Sequence, residues 1–129
     1  MSDKDIPQII KDVGFDFHWA EEKVWALKVT SEATDIRELI WHFEIPFLRE
    51  DGIYNLKPWD VIKDPSSHSK EYDRTLKSNL NYPIDIMENK GRWLILDGLH
   101  RLMKAYIQGQ KVVKVRKISR DYIPQIVKE

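Results

Sequence analysis

One stretch of the sequence decides the fold: Ile95-Leu96-Asp97-Gly98-Leu99-His100-Arg101-Leu102. The apolar residues before Asp97 favour a strand, the Asp-Gly pair favours a sharp turn, and the residues after it have helical spacing. A helix entered in this way presents unpaired N–H groups and the positive end of its dipole at the turn. Residues 93–109 therefore predict a strand, a tight turn and a helix whose N-terminus binds a phosphate or a similar anion.

Two cationic residues occupy the first turn of this predicted helix, where they oppose the helix dipole. An anion held between His100 and Arg101 would reverse that cost, which favours the binding interpretation. A purely structural interpretation stays open, because Asp-Gly is frequent before helices. In that interpretation Asp97 is an N-cap, Gly98 is a turn residue, and the two cations face solvent or pair with acidic residues.

The neighbouring segments predict a small sheet around the turn. The periods of the apolar residues indicate four consecutive elements: strands at residues 84–87 and 92–96, a helix at 99–108 and a strand at 111–118. The four residues between the first two strands include Gly91 and favour an antiparallel hairpin. We expect the helix to end at Gly109 and to pack on the sheet through Leu102, Met103 and Tyr106.

The first half of the chain predicts further elements. A largely buried strand is expected over residues 23–29, with Trp25, Leu27 and Val29 on one face. Thr34 is a candidate N-cap for a helix. The apolar face of that helix would hold Ile36, Leu39, Ile40 and Phe43. Four shorter elements complete the prediction: a helix within residues 2–12 that contains Pro7 and is closed by Gly14, a strand at 53–56, a helical turn from Pro58 to Ile62 and an amphipathic helix at 70–80.

Length and composition bound the class of protein. A chain of 129 residues with 42% apolar residues can bury one core, and its elements predict a single α+β domain with a small mixed sheet and helices packed on it. No apolar run approaches the roughly 20 residues that cross a bilayer, and no export signal is recognised. The expected location is the cytoplasm, with no membrane partner. The absence of cysteine excludes disulfides, thiolate catalysis and thiolate metal sites.

Charge is unevenly distributed along the chain, although its net value is zero. Residues 1–65 carry 8 Lys or Arg against 14 Asp or Glu, and residues 66–129 carry 13 against 7. A basic second half can orient an anionic ligand or nucleic acid. Ordinary surface charge explains such counts equally well.

Several segments together resemble the ParB/sulfiredoxin superfamily. Residues 97–101 are similar to its D-G-x-H-R motif, 55–61 to its opening segment, 83–86 to its P-I-x-V strand and 112–118 to the strand after the motif helix. These segments occur in the family's order. The resemblance implies a ParB/sulfiredoxin-like core at residues 53–129, on which an N-terminal extension at residues 1–52 packs to give one compact domain. Residues 17–47 match nothing in the family's core.

Members of this superfamily share nucleotide phosphates bound at the motif turn. The resemblance therefore implies that ATP or another nucleoside triphosphate with Mg²⁺ is held by Gly98, Leu99, His100 and Arg101. It also implies that Asp97 and His100 are catalytic and that Asp97 is a metal ligand. A small-molecule kinase or an NTPase is the kind of enzyme that this arrangement suggests first.

Departures from the family narrow its possible activities. Sulfiredoxins carry a catalytic cysteine between the glycine and the histidine, where this chain has Leu99, so sulfinic-acid reduction is excluded. Chromosomal partition proteins have an arginine-rich motif and a following helix-turn-helix domain, and we expect neither here. The activities that stay open are those of the kinase-like and nuclease-like members, which often keep Asp-Gly and His-Arg.

Other residues offer weaker signals. Asp97 with Asp85 or Glu88 is a candidate Mg²⁺ site, because that ion takes a few carboxylates and keeps several waters. Core packing is the expected role of Trp25 and Trp93. No metal site is expected at three histidines that lack the spacing of a ligand pair: His18, His42 and His68.

Three functions stay open from the sequence. The first is a nucleotide-binding protein or enzyme built on the turn at residues 97–101. The second is a nucleic-acid-binding or nuclease-like protein whose basic second half follows a phosphate backbone. The third is an adaptor without catalysis, with the acidic, Trp-containing first half as its partner surface.

Overall fold

The computed structural model describes residues 6–50 and 52–128. Helices and strands alternate irregularly along this part of the chain: α1 Gln8–Val13, α2 Glu21–Trp25, β1 Ser31–Asp35, β2 Leu48–Glu50, β3 Ile53–Leu56, α3 Pro58–Lys63, α4 Ser69–Lys77, β4 Ile84–Asn89, β5 Arg92–Asp97, α5 Leu99–Ile107, β6 Val112–Lys117 and α6 Ile123–Ile126. Short 3₁₀ turns lie at Ile36–Glu38, Ile40–Glu44, Pro65–His68 and Arg120–Tyr122. None of the helices in these ranges has the length and apolarity of a bilayer-spanning segment.

A four-stranded sheet with the order β1-β6-β4-β5 forms the centre of the fold. β4 and β6 run parallel, whereas the β1–β6 and β4–β5 pairs are antiparallel. A separate two-stranded sheet pairs β2 with β3. The predicted α+β class with a small mixed sheet is confirmed. β1 belongs to the segment interpreted as an N-terminal extension, and it completes the edge of the main sheet.

The hairpin and the helix that flank the motif turn are confirmed. β4 and β5 are joined by Lys90 and Gly91, whose φ angles of 53° and 84° are both left-handed. Two such residues form the tight turn that suits the twist of a hairpin, so the loop is shorter than the four residues predicted. α5 ends just before Gly109, which has a φ of 77° and takes the expected position after the helix.

Two hydrophobic clusters lie on opposite faces of β4. Ile86 belongs to the larger cluster, into which α5 inserts Leu102 and Met103. Met87, the next residue along the strand, belongs to a smaller cluster formed with α2 and α6. Neighbouring strand residues point to opposite faces, so β4 is buried on both sides. Tyr106 lies at the rim of the larger cluster, 37% exposed, rather than fully within it.

The predicted strand at residues 23–29 is wrong, because residues 21–25 form α2 instead. The run has apolar residues at both odd and even positions, so its period does not separate a strand from a helix. Glu21 and Glu22 in the first turn favour a helix N-terminus through the dipole. Only Val24 of the helix is buried, and Trp25 is 56% exposed, so its expected core position is also wrong. Trp93 is partly buried against the larger cluster.

The prediction of an α-helix after Thr34 is also wrong. Thr34 lies within β1, a strand that the sequence analysis did not predict, and Asp35 caps a short 3₁₀ turn by accepting from the Arg37 N–H. Two 3₁₀ turns replace the expected α-helix. The apolar spacing still identified the buried residues, since Ile36, Leu39 and Phe43 all lie in the core.

The remaining elements agree with the prediction in kind. β3 covers residues 53–56 and α3 begins at Pro58. Pro7 is the N-cap of α1 and so precedes the helix that was predicted to contain it, and α4 ends at Lys77, before the predicted end at residue 80. Residues 2–5 of the predicted first helix lie outside the described residues. In α4 the buried residue is Thr75, whose hydroxyl donates to the Glu71 carbonyl, whereas Leu76 is exposed.

Candidate functional site

The turn between β5 and α5 is held close to β4. Gly98 has a φ of 115°, and a Cβ placed there would lie 3.0 Å from Arg101 Nη1 and 3.2 Å from Ile84 Cα. A glycine is therefore required both by the left-handed backbone and by the approach to the neighbouring strand.

Three backbone amides at the start of α5 precede the first hydrogen bond of the helix. That bond runs from the Leu102 N–H to the Gly98 carbonyl, at 3.0 Å. The amides of Leu99, His100 and Arg101 lie before it, and Gly98, the N-cap residue, has no side chain with which to cap them. Asp97 is therefore not the N-cap that the structural interpretation assumed.

Asp97 is bound from two sides. Its Oδ2 accepts from Trp25 Nε1 at 2.8 Å and from Arg101 Nη2 at 3.2 Å. Arg101 Nη1 in turn donates to the Pro83 carbonyl at 2.6 Å. The guanidinium thus joins the turn to the start of β4, and both side chains of the ion pair are largely buried.

His100 is fixed by α4. Its Nε2 lies 2.8 Å from Glu71 Oε2, and both side chains are largely buried. The other carboxylate oxygen of Glu71 accepts from Arg74 Nη1 at 3.3 Å. The Ser78 hydroxyl, just beyond α4, donates to the His100 carbonyl at 3.3 Å. The first turn of α5 is therefore held against α4 at both of its ends, by Glu71 in the first turn and by Ser78 after the last.

A cavity of about 1070 Å³ is lined by all five residues from Asp97 to Arg101. Arg74 and Lys77 from α4 and His18 from the segment before α2 also line it. Small-molecule sites commonly have volumes of about 300–1,000 Å³, so this cavity can hold a ligand of nucleotide size. The predicted site residues thus meet at one concave surface.

A second carboxylate lines the same cavity. Burial raises the pKa of Glu21 above its ordinary value, and the charges of Asp97 and Glu22 raise it further, while Arg101 opposes the shift. The sequence analysis missed Glu21, which lies far from Asp97 along the chain. It also missed Glu71, whose contact with His100 joins residues 29 positions apart. No local pattern could have indicated either residue.

The two proposed partners of Asp97 for Mg²⁺ lie in different environments. Asp85 is opposite Asp97 in the β4–β5 register, but it is buried and its Oδ1 accepts from Arg116 Nε at 2.6 Å. Glu88 lies near the hairpin turn, where it accepts from the Gly91 N–H. Across the described ranges, no three His, Cys, Asp or Glu residues are grouped so as to hold a metal ion.

Comparison with known proteins gives no relative. No family model, no curated protein and no solved structure matches the chain significantly.

Proposed function

We propose that this chain is a ParB/sulfiredoxin-like nucleotide-binding protein, which holds the phosphates of ATP or another nucleoside triphosphate at the N-terminus of α5. One observation carries the proposal: the amides of Leu99, His100 and Arg101 precede the first bond of α5 and lie on a cavity of nucleotide size. Amides and a helix dipole at such a position favour a phosphate. The resemblance of residues 97–101 to the family motif supports the same placement.

Cationic side chains around the cavity add to the positive potential at the N-terminus of α5. Arg74 and Lys77 line it from the end of α4, and Arg101 lines it from α5. A guanidinium can meet two phosphate oxygens at once, whereas an ammonium acts as a point charge. We assign Arg74 and Lys77 to the outer phosphates, because Arg101 already uses Nη1 and Nη2 within the protein.

Mg²⁺ fits the carboxylates at this site. Both bonds that Asp97 accepts end on Oδ2, which leaves Oδ1 for a metal ion. Burial and, after it, the charge of Asp97 raise the pKa of Glu21, and a divalent cation beside the two carboxylates would relieve the repulsion between them. One or two carboxylates with phosphate oxygens and waters are the usual ligands of this ion. When bound, it would neutralise charge on the phosphates.

The activity that we propose first is phosphoryl transfer to a small molecule, or hydrolysis of the nucleotide. Both reactions need positioning and charge neutralisation more than covalent chemistry. Glu71 orients the His100 imidazole in the first turn of α5, where it can exchange a proton with a group near the phosphates. Asp97 would act as metal ligand or base.

A nucleic-acid-binding or nuclease-like function is the second candidate. The excess of cations in residues 66–129 and the position of Arg74 and Lys77 on the cavity favour it. A phosphate backbone bound there would release counterions, so its affinity would fall steeply with salt. An adaptor role without catalysis is the third candidate.

Calorimetric titration separates these candidates. MgATP should bind the chain with an affinity that changes little with salt, whereas a single-stranded oligonucleotide should bind weakly or not at all. Asp97→Asn should weaken MgATP binding by about tenfold or more, because it removes a metal ligand while an amide oxygen can still accept from Trp25 and Arg101.

Asp121→Asn is the matched control, since Asp121 lies in an exposed turn of the same basic half. It should leave MgATP binding unchanged. Tight, salt-sensitive oligonucleotide binding without MgATP binding would favour the second candidate. An Asp97→Asn variant that is folded and binds MgATP as well as the original chain would rule out the metal role.

A further inference from the structure

We propose that Trp25 and Tyr82 are the base-binding residues of this site and stack on the nucleobase. The inference rests on the proposed nucleotide-binding function and deepens it, because it assigns the part of the ligand that the phosphate site leaves unspecified. The observation that carries it is that two exposed aromatic rings lie at one ion pair: Trp25 donates a hydrogen bond to Asp97, and the Tyr82 ring lies near the guanidinium of Arg101.

Trp25 is anchored but uncovered. Its Nε1 donates to Asp97 Oδ2 at 2.8 Å, which fixes the indole beside the turn, yet 56% of the residue is exposed. Trp25 is not a lining residue of the cavity but lies beside it, one helical turn after Glu21, which does line it. Aromatic rings of this size usually supply buried apolar area, so the exposed face of this indole is available to stack on a ligand.

Tyr82 lies near the other member of the ion pair, Arg101. It lines the cavity, its ring centroid lies 5.9 Å from the Arg101 guanidinium carbon, and it is 62% exposed. Trp59 behaves differently, because its ring packs edge-on against Phe43 and Tyr106 in the rim of the core. Tyr106 is also exposed, at 37%, but its ring packs against Phe43 and Trp59, and among the described residues no such aromatic packing covers Trp25 or Tyr82.

A nucleobase is the ligand group that this arrangement fits. Every base has a π-face that stacks on an aromatic side chain, and the contribution of one stacked base corresponds to about 5- to 150-fold in affinity. A purine offers the larger face. The phosphates of the same ligand can then reach the amides at the start of α5, since Asp97 and Arg101 connect the rings to that turn.

The experiment compares two probes, MgATP and inorganic tripolyphosphate with Mg²⁺, in calorimetric titrations of the full chain. Trp25→Ala and Tyr82→Ala should each weaken MgATP binding by about fivefold or more and leave tripolyphosphate binding within about twofold. Trp25→Phe should retain most of the MgATP affinity, because it keeps an aromatic face and loses only the hydrogen bond to Asp97. Val112→Ala, which removes an exposed apolar side chain at the first position of β6 that does not line the cavity, should change neither affinity.

The outcomes separate the inference from the function on which it rests. Equal loss of both probes in folded Trp25→Ala would mean that Trp25 acts through Asp97, and the stacking role would be wrong. Unchanged MgATP binding in both alanine variants would overturn it as well. A parent chain that binds tripolyphosphate as tightly as MgATP would keep the phosphate site and reject the base site. Failure of the parent chain to bind either probe would overturn both proposals.

Discussion

Arg101 connects the candidate site to the rest of the sheet. From the sequence, removing this cation from the positive end of a helix should cost little or even stabilise the fold. The structure changes that expectation, because Nη1 donates to the Pro83 carbonyl and Nη2 to Asp97 in a largely buried setting. Removing the guanidinium leaves both acceptors without this partner.

Arg101→Ala should therefore lower the free energy of unfolding by about 1–3 kcal/mol. Lysine should recover only part of that loss, since one ammonium does not reproduce the guanidinium fork. Urea denaturation measures both variants. Arg37→Ala is the control. Arg37 forms an ion pair with Asp35, but the Arg37 side chain is 83% exposed, and ion pairs at such positions contribute little to stability. Equal stability of the two alanine variants would contradict this role of Arg101.

His42 is a buried neutral histidine that lies in the wall of the cavity, behind β5. Its Nδ1–H donates to the Leu39 carbonyl at 2.7 Å, and its Nε2 accepts from the Ile95 N–H at 3.1 Å, a bond to the outer edge of β5. Burial lowers the pKa of His42 from its usual 6.5 to about 4. The unfolded chain therefore takes up a proton at a higher pH than the folded protein does.

The free energy of unfolding should fall as the pH drops from about 6.5 toward about 4. The contribution of His42 is complete above the unfolded pKa of about 6.5 and is lost as pH falls toward the folded pKa of about 4. Between about pH 7 and about pH 5 the loss should be on the order of 2 kcal/mol. Urea denaturation at the two pH values measures it. His42→Asn, which does not titrate, should be less stable at neutral pH and lose less on acidification; an identical loss would show that other groups cause it.

At the scale of elements, the turn from β5 to α5 requires two things of Gly98: a left-handed backbone and a close approach to β4. Gly98→Ala should be destabilising by more than about 1 kcal/mol, because it forces a Cβ into a left-handed backbone and against β4. Gly109→Ala is the matched control, since Gly109 also has a positive φ but a Cβ there would meet nothing within 4 Å. Denaturation curves should show the larger loss at Gly98. Equal losses would mean that the close approach to Ile84 and Arg101 costs nothing.

The elements that the sequence predicted are those with strong local signals. The β4–β5 hairpin has Gly91 at its turn, and α5 has a regular apolar face and Gly109 after its end. α2 and β1 have no such signals. In α2 the apolar residues fit either period, and β1 is a short edge strand in which only Thr34 is buried. Pairing with β6 places it in the sheet, and that contact is not readable from either segment alone.

At the scale of the whole molecule, the site depends on long-range contacts that bring the first segments to the sheet. Arg116, on β6, donates to the carbonyls of Val24 and Leu27 and to Asp85. Trp19 forms a bridge with Val127 and donates through Nε1 to the Leu96 carbonyl. These contacts hold α2 beside the turn and so place Glu21 and Trp25 at the site. The local sequence predicts the turn, but it does not predict that Glu21 and Trp25 of α2 lie beside it.

The central claim is that nucleotide phosphates bind the amides at the start of α5. Titration of the ¹⁵N-labelled chain with MgATP, followed by two-dimensional amide spectra, tests it directly. The amide resonances of Leu99, His100 and Arg101 should shift most and saturate together, and tripolyphosphate with Mg²⁺ should shift the same three. The amides of Gly52 and Gly109, away from the cavity, should not move. Saturable shifts confined to other parts of the chain, or no shifts at millimolar MgATP, would contradict the account.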